Sequence, residues 1–187
     1  DELATEDAYT SMEAGDVSIR RLTQSEFGNS VRDIFGSDVV IPRLAETDKA
    51  AGGLIAVGAS TTSYSPRGVE SLEDAAFAIA TQAMDTDVLR ARLVPCQPAG
   101  TTDSACAAQV IESIGRLAWR RPLDQEEVER MAAVATDAAS VMDNFYVGIE
   151  VGIAALLQSP NFLFRIETGE VDPNDSSKRI FNDYELA

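Results

Sequence analysis

Hydrophobic residues recur at helical spacing early in the chain, at Phe27, Val31, Ile34 and Phe35. Thr23 stands before this run as a helix N-cap, and Glu26 completes a capping box three residues later. Gly36 supplies a helix end. The pattern therefore predicts a first helix that begins after Thr23 and ends before Gly36.

Further helical patterns follow along the chain. One begins at Ser65 or at Ser71 and extends to about Met84, with Phe77 among its buried positions, and a helical turn covers 88–93. Helices are also predicted over 103–119, with Leu117 on the buried face, and over 124–142, where Asp124 and Glu127 repeat the capping box.

The segment 144–158 is apolar nearly all round, so it is predicted to be a central helix. Gly148 and Gly152 would let a neighbouring helix approach it closely. A short turn follows at 159–165, then a polar loop that ends at the start of another helix near Asn182 or Asp183.

These patterns together predict an all-α fold of five to six helices in a bundle-like arrangement. A long irregular insertion is expected at 37–64. We expect a flexible acidic leader at 1–16, helical subdomains at 17–93 and 94–170, and a loop with the start of a truncated further helix at 171–187.

Composition narrows the functions that the chain can have. The formal net charge of −16, from 31 acidic and 15 basic residues, argues against nucleic acid and anionic membrane surfaces as partners. No stretch is long and apolar enough to predict a membrane span. The absence of histidine removes Ser-His-Asp and Cys-His catalysis, His-ligated haem and most zinc sites. We find no catalytic constellation, and whether the chain is an enzyme stays open.

Cys96 and Cys106 flank nine residues rich in Pro, Gly, Thr and Ser. A disulfide that closes this loop is the favoured interpretation, with two buried free thiols or a functional thiol as alternatives. A disulfide would indicate an extracytoplasmic location: periplasmic, cell-surface or secreted.

A few residues are candidates for chemistry. Glu150 lies inside the apolar helix and is the best candidate for a perturbed carboxylate, although pairing with Arg165 or with one of the two arginine pairs is the favoured explanation. One turn contains side chains that could donate oxygens to Ca²⁺, namely Asp172, Asn174 and Asp175. A simple turn explains these residues without a metal. The pairs Arg20–Arg21 and Arg120–Arg121 fit either an anion site or structural roles, such as complementing the dipole of the helix that ends near Trp119.

Four motifs carry a family resemblance: RRLTQSEFGNSVRDIFG (Arg20–Gly36), IGRLAWRRPLDQEEVERM (Ile114–Met131), LLQSPNFLFRIETGE (Leu156–Glu170) and the final DYELA. In this order they resemble the N-terminal part of exported, planctomycete-type, cytochrome-associated multidomain proteins of unknown function. The residues that carry the resemblance are Arg20, Arg21, Arg32, Asp33, Arg120, Arg121, Pro122, Gln158, Ser159, Pro160, Arg165 and Glu167.

The resemblance implies a secreted protein, often a lipoprotein, with further domains after DYELA. We expect the chain to be a non-catalytic scaffold or docking module. Its partner would be the remainder of the polypeptide or a second chain beginning after Ala187. One alternative is a part of a c-type-cytochrome-linked oxidoreductase whose haem or metal lies outside this chain, with no cofactor within it. The other is a surface polysaccharide-binding module, for which Trp119 and the tyrosines are the candidate aromatics.

Overall fold

The computed structural model describes residues 19–61, 63–166, 169–181 and 183–186. Its helices are α1 Gln24–Phe35, α2 Ile55–Ser60, α3 Pro66–Asp85, α4 Asp87–Leu93, α5 Ser104–Ala118, α6 Gln125–Met142, α7 Phe145–Gln158, α8 Pro160–Leu163 and α9 Asp183–Leu186. Its strands are β1 Ile19–Arg21, β2 Phe164–Ile166, β3 Glu170–Asp172 and β4 Asp175–Ile180.

The fold is mostly helical, but the prediction of an all-α fold is wrong because two strand pairs are present. β1 pairs with β2, and β3 pairs antiparallel with β4, where Glu170 lies opposite Ile180. This hairpin occupies the segment predicted as a polar loop. β1 and β2 have three residues each, too few to show the alternation of period two by which a strand is predicted.

The predicted number of helices is also wrong, and the difference lies in the short ones. The five long helices α1, α3, α5, α6 and α7 match the predicted segments. Short helices account for the excess: α2 forms inside the predicted irregular segment 37–64, and α4, α8 and α9 lie where only turns or a helix start were predicted. Helices this short have little periodicity of their own and depend on tertiary packing.

Helix starts follow the capping residues named from the sequence. The side chains of Thr23, Asp103 and Asp124 accept backbone N–H bonds at the starts of α1, α5 and α6. Ser65 does the same for α3, which begins at Pro66 and not after Ser71. These starts are confirmed because capping is a local interaction that the sequence records directly.

The core lies between α7 and its neighbours α3, α5 and α6. Gly148 and Gly152 allow the close approach that was predicted: a Cβ on Gly148 would lie 2.3 Å from the carbonyl oxygen of Ala135. Two positions predicted to be buried are wrong, since Phe77 is 39% exposed and Leu117 is 56% exposed. Both lie at the edge of their helix's apolar face, where the neighbouring helices decide burial.

Contacts divide the chain into two compact units. One is Arg20–Arg165; the other comprises Asp1–Ile19 and Ile166–Ala187. The segments predicted as subdomains, 17–93 and 94–170, contribute most of their residues to the first unit, and their separate folding stays a prediction. The leader expected at 1–16 lies outside the described residues.

Candidate functional site: the arginine motifs

The arginine-containing motifs meet beside the β1–β2 pair. Arg20 and Arg21 lie on β1, and Arg165 lies on β2. Arg120 follows the end of α5; burial lowers the pKa of its guanidinium, and the nearby charges of Arg165 and Arg20 lower it further. Three motifs that are far apart in sequence therefore contribute cations to one region. What these cations bind decides whether the region is a ligand site.

The side chain of Arg20 forms an ion pair with Glu26 at the start of α1. Its Nη1 and Nη2 donate to the two carboxylate oxygens of Glu26 at 2.8 Å each. Glu26 also accepts the backbone N–H of Thr23 at 2.8 Å, which completes the capping box. The bonds from Arg20, with those from Thr23, outweigh burial and lower the pKa of Glu26 to about 2. Glu26 is therefore an ionised structural group and not a proton donor.

Arg121 makes the same arrangement at the start of α6. Its two Nη atoms donate to the oxygens of Glu127 at 2.7 Å each, and Glu127 accepts from the N–H of Asp124 at 3.0 Å. The hydrogen bond from Arg121 lowers the pKa of Glu127 despite partial burial. We call these two Arg–Glu capping-box pairs the helix-start latches.

The two latches have parallel sequences, Arg-Arg-Leu-Thr-Gln-Ser-Glu and Arg-Pro-Leu-Asp-Gln-Glu-Glu. Both capping boxes were predicted from the sequence, but the arginine six residues before each glutamate was not recognised as its partner. That spacing, found twice, is the signal that could have revealed the ion pairs.

Arg21 is buried, with only 2% of its surface exposed. Its Nη1 donates to the Asp48 carboxylate at 3.0 Å, and its Nη2 donates to the carbonyl of Thr47 at 3.3 Å. The other oxygen of Asp48 accepts the N–H of Gln24, the first residue of α1, at 2.8 Å. Arg21 therefore fastens the segment before α2 to the start of α1, an internal role that leaves little surface for a ligand.

The sequence suggested that Arg120 complements the end of α5, but its side-chain hydrogen bonds lie at another helix. Its Nη2 instead lies 3.0–3.1 Å from three carbonyl oxygens at the end of α8 and the start of β2, those of Asn161, Phe162 and Phe164. The guanidinium also lies over the ring of Phe162, 5.9 Å from its centre. The C-terminal carbonyls of a helix favour a cation, so this is a helix C-terminal interaction, made with a different helix from the one predicted.

The remaining motif residues act locally or lie on the surface. Ser159 caps α8 by accepting the N–H of Asn161, and Pro160 is the first residue of α8. Gln158 donates to the carbonyl of Ala154, and the carbonyl of Pro122 accepts from Arg121. Arg32 and Asp33 are exposed on α1. Glu167 lies outside the described residues.

Glu150 differs from its predicted pairing. It accepts a 3.3 Å hydrogen bond from Thr81 of α3, a partner that the sequence did not predict. Burial raises the pKa of Glu150, and the nearby charge of Asp85 adds to the effect. Glu150 therefore has a raised pKa, but a single carboxylate with one hydroxyl partner does not form an acid–base pair.

The other candidates have structural explanations. Asp172 and Asp175 accept backbone N–H bonds from Asn174 and Ser177, which accounts for the turn between β3 and β4 without a metal. Trp119 is 5% exposed and donates from Nε1 to the carbonyl of Leu156, so its ring does not form a sugar-binding surface.

Cys96 and Cys106 are joined by a disulfide, as favoured from the sequence. The bond attaches the loop before α5 to the first turn of that helix. Covalent haem attachment needs two cysteines followed by histidine. Since both cysteines are joined to each other and the chain has no histidine, its residues do not fit that group.

Within the part of the chain that the structure describes, no group of three or more acidic or cysteine side chains is arranged to hold a metal ion. No helix among the described residues is long and apolar enough to cross a membrane.

Comparison with protein families gives two matches. Residues 20–85 match the model of PSD3, a protein of unknown function (DUF1587). Residues 106–167 match that of PSD5, a protein of unknown function (DUF1595). Both families are planctomycete-type, cytochrome-associated domains.

The PSD3 segment begins with Arg20, and the PSD5 segment contains Arg120, Arg121 and Arg165. Both helix-start latches therefore lie within matched segments, one in each. The disulfide joins Cys96, between the two segments, to Cys106, the first matched residue of the PSD5 segment. No curated protein and no solved structure matches the chain.

Proposed function

We propose that the chain is a non-catalytic helical scaffold or docking module of a secreted multidomain protein. The observation that carries this proposal is the use made of the motif arginines. Arg20 and Arg121 bind glutamates of capping boxes, the buried Arg21 binds a partly buried aspartate, and Arg120 binds backbone carbonyls. These four motif arginines thus hold helices and strands in place, which is the work of a structural module.

Cross-linking of the native full-length protein tests this function. The chain has 31 carboxylate side chains, so a reagent that couples carboxylates samples its surface far better than an amine reagent. A docking module should give reproducible cross-links from exposed carboxylates, such as Glu70 and Glu112, to other domains or to a partner protein. If cross-links occur only within this chain, the docking role is wrong.

The disulfide favours an oxidising compartment and so supports the secreted assignment. Intact mass spectrometry should show a gain of about two mass units on reduction, because two hydrogens are taken up. Fractionation of the source cells should recover the protein outside the cytoplasm. Recovery in the cytoplasm with free thiols would contradict this location.

A second candidate follows from the cytochrome-associated character of the two matched families. In this alternative the chain belongs to an oxidoreductase whose haem or metal is bound elsewhere in the protein. An absorption spectrum and metal analysis of the intact protein distinguish the two. Haem absorbance would favour the oxidoreductase, and its absence would favour the scaffold.

A further inference from the structure

The two ends of the Arg20–Arg165 unit lie on paired strands. Arg20 is on β1 and Arg165 is on β2, and the N–H of Leu22 donates to the carbonyl of Leu163 at 2.8 Å beside the pair. Neighbouring strands lie about 4.8 Å apart. The chain therefore enters and leaves this unit at one place.

Arg120 binds the backbone at the start of β2, next to the Leu22–Leu163 hydrogen bond. Its Nη2 binds carbonyls on both sides of Leu163, namely those of Phe162 and Phe164. Phe162 packs in turn on Phe27 of α1, with ring centres 5.6 Å apart. The guanidinium of Arg120 thereby fixes the backbone on both sides of Leu163, whose carbonyl accepts the N–H of Leu22.

Several features oppose the same arrangement. Arg120 has a φ of 57°, a left-handed conformation that is unfavourable for a residue with a side chain. Its Nη1 is buried and has no hydrogen-bond partner among the residues that the structure describes. Burial lowers the pKa of Arg120, and the charges of Arg165 and Arg20 lower it further. The closed geometry is thus held by a few strong bonds against strain and desolvation.

We infer that Arg120, Leu22 and the segment Phe162–Phe164 form a clasp that holds the two ends of the unit together. Arg120 keeps this clasp closed, and the clasp opens without unfolding the helical core. The contacts of α7 with α3, α5 and α6 are made without the clasp bonds, although the side chains of Leu22, Phe162 and Leu163 are buried in the same core. When the clasp is closed, β1 and β2 are paired. When it is open, this pair separates. This inference goes beyond the scaffold function and does not depend on it.

Amide hydrogen exchange of the full chain, resolved by residue with NMR, tests the clasp. Arg120→Met removes the guanidinium and keeps a long apolar side chain. We expect exchange at the Leu22 amide to become at least about tenfold faster, while core amides of α5 and α7 change less than about twofold.

Arg121→Met is the matched control, since it alters the neighbouring arginine and the latch of α6. It should accelerate the Glu127 amide, which donates to Asp124 at 2.8 Å, and leave Leu22 unchanged. If Arg120→Met accelerates all amides equally, Arg120 is a general stabiliser and the clasp is wrong. No change at Leu22 would also overturn it. If Arg120→Met does not fold, Arg120→Lys, which keeps the charge without the planar fork, is judged by the same amides.

Discussion

At the scale of single residues, the motif arginines differ in what their guanidinium groups bind. Arg20 and Arg121 bind a carboxylate with two parallel hydrogen bonds, the geometry that arginine makes best. In the described part of the chain, Arg120 donates its hydrogen bonds to carbonyl oxygens. Lysine lacks the planar fork, so replacing Arg20 or Arg121 by lysine would not be conservative.

The capping residue of a latch should contribute measurably to stability. Thr23→Ala removes the oxygen that accepts the Glu26 N–H, so we expect the free energy of unfolding to fall by about 1 kcal/mol. Urea denaturation measures this value. Thr102→Ala changes an exposed threonine in the cysteine loop and should have little effect. Equal losses in both variants would contradict a special role for the cap.

Glu150 provides a pH-dependent prediction. Its pKa is raised above the usual 4.5, so the folded state favours the protonated form. The stability linked to this proton is present below about pH 4.5 and is lost as the pH rises through the folded pKa. Glu150→Gln should therefore raise the melting temperature at pH 7, by about 1–2 °C given solvent screening at this half-buried position.

The difference between Glu150→Gln and the wild type should vanish below about pH 4.5, where both are neutral at position 150. Thermal melts at several pH values measure it. Glu112→Gln, at an exposed position on α5, is the matched control for loss of one negative charge. A gain that is independent of pH, or equal in the control, would show that burial of Glu150 is not the cause.

At the scale of helices and strands, the close contact of α6 with α7 is possible because Gly148 of α7 has no side chain. A Cβ on Gly148 would lie 2.3 Å from the Ala135 oxygen and 2.5 Å from the Ala139 Cβ. These are backbone and core atoms that have little freedom to move.

Gly148→Ala should therefore destabilise the protein by about 1–3 kcal/mol, although alanine is the better helix former by about 0.5–1 kcal/mol. Chemical denaturation gives the value. Gly100→Ala is the control, because a Cβ there would meet nothing within 4 Å. If Gly148→Ala is neutral or stabilising, the helices are not as close as described.

The long helices could be predicted from the sequence because their signals are local. Thr23 with Glu26, and Asp124 with Glu127, mark helix starts within a few residues. The β1–β2 pair could not be predicted, since Leu22 and Leu163 are brought together only by the fold. The site divides in the same way. The six-residue spacing of Arg20 and Glu26 can be read from the sequence, whereas the hydrogen bonds of Arg120 depend on where the fold places α8.

At the scale of the whole molecule, electrostatic repulsion is the main feature that composition imposes. A net charge of −16 at pH 7 is confined to a small volume in the folded state and spread out in the unfolded state. Repulsion therefore destabilises the folded state more than the unfolded state. The two latches oppose this trend only in acid, because the lowered pKa values of Glu26 and Glu127 give stability that is lost as the pH falls below about 4.5.

Stability should consequently be highest in mildly acidic solution. As the pH falls from 7 towards 5, carboxylates begin to bind protons and repulsion weakens, so the melting temperature should rise at low salt. Added salt should raise the melting temperature at pH 7 and reduce its dependence on pH, because the screening length shortens from about 10 Å at 0.1 M to about 3 Å at 1 M. Melting curves at pH 5 and pH 7, each at 20 mM and 1 M sodium chloride, form the experiment. If the melting temperature falls between pH 7 and pH 5 at low salt, specific ion pairs outweigh general repulsion in this protein.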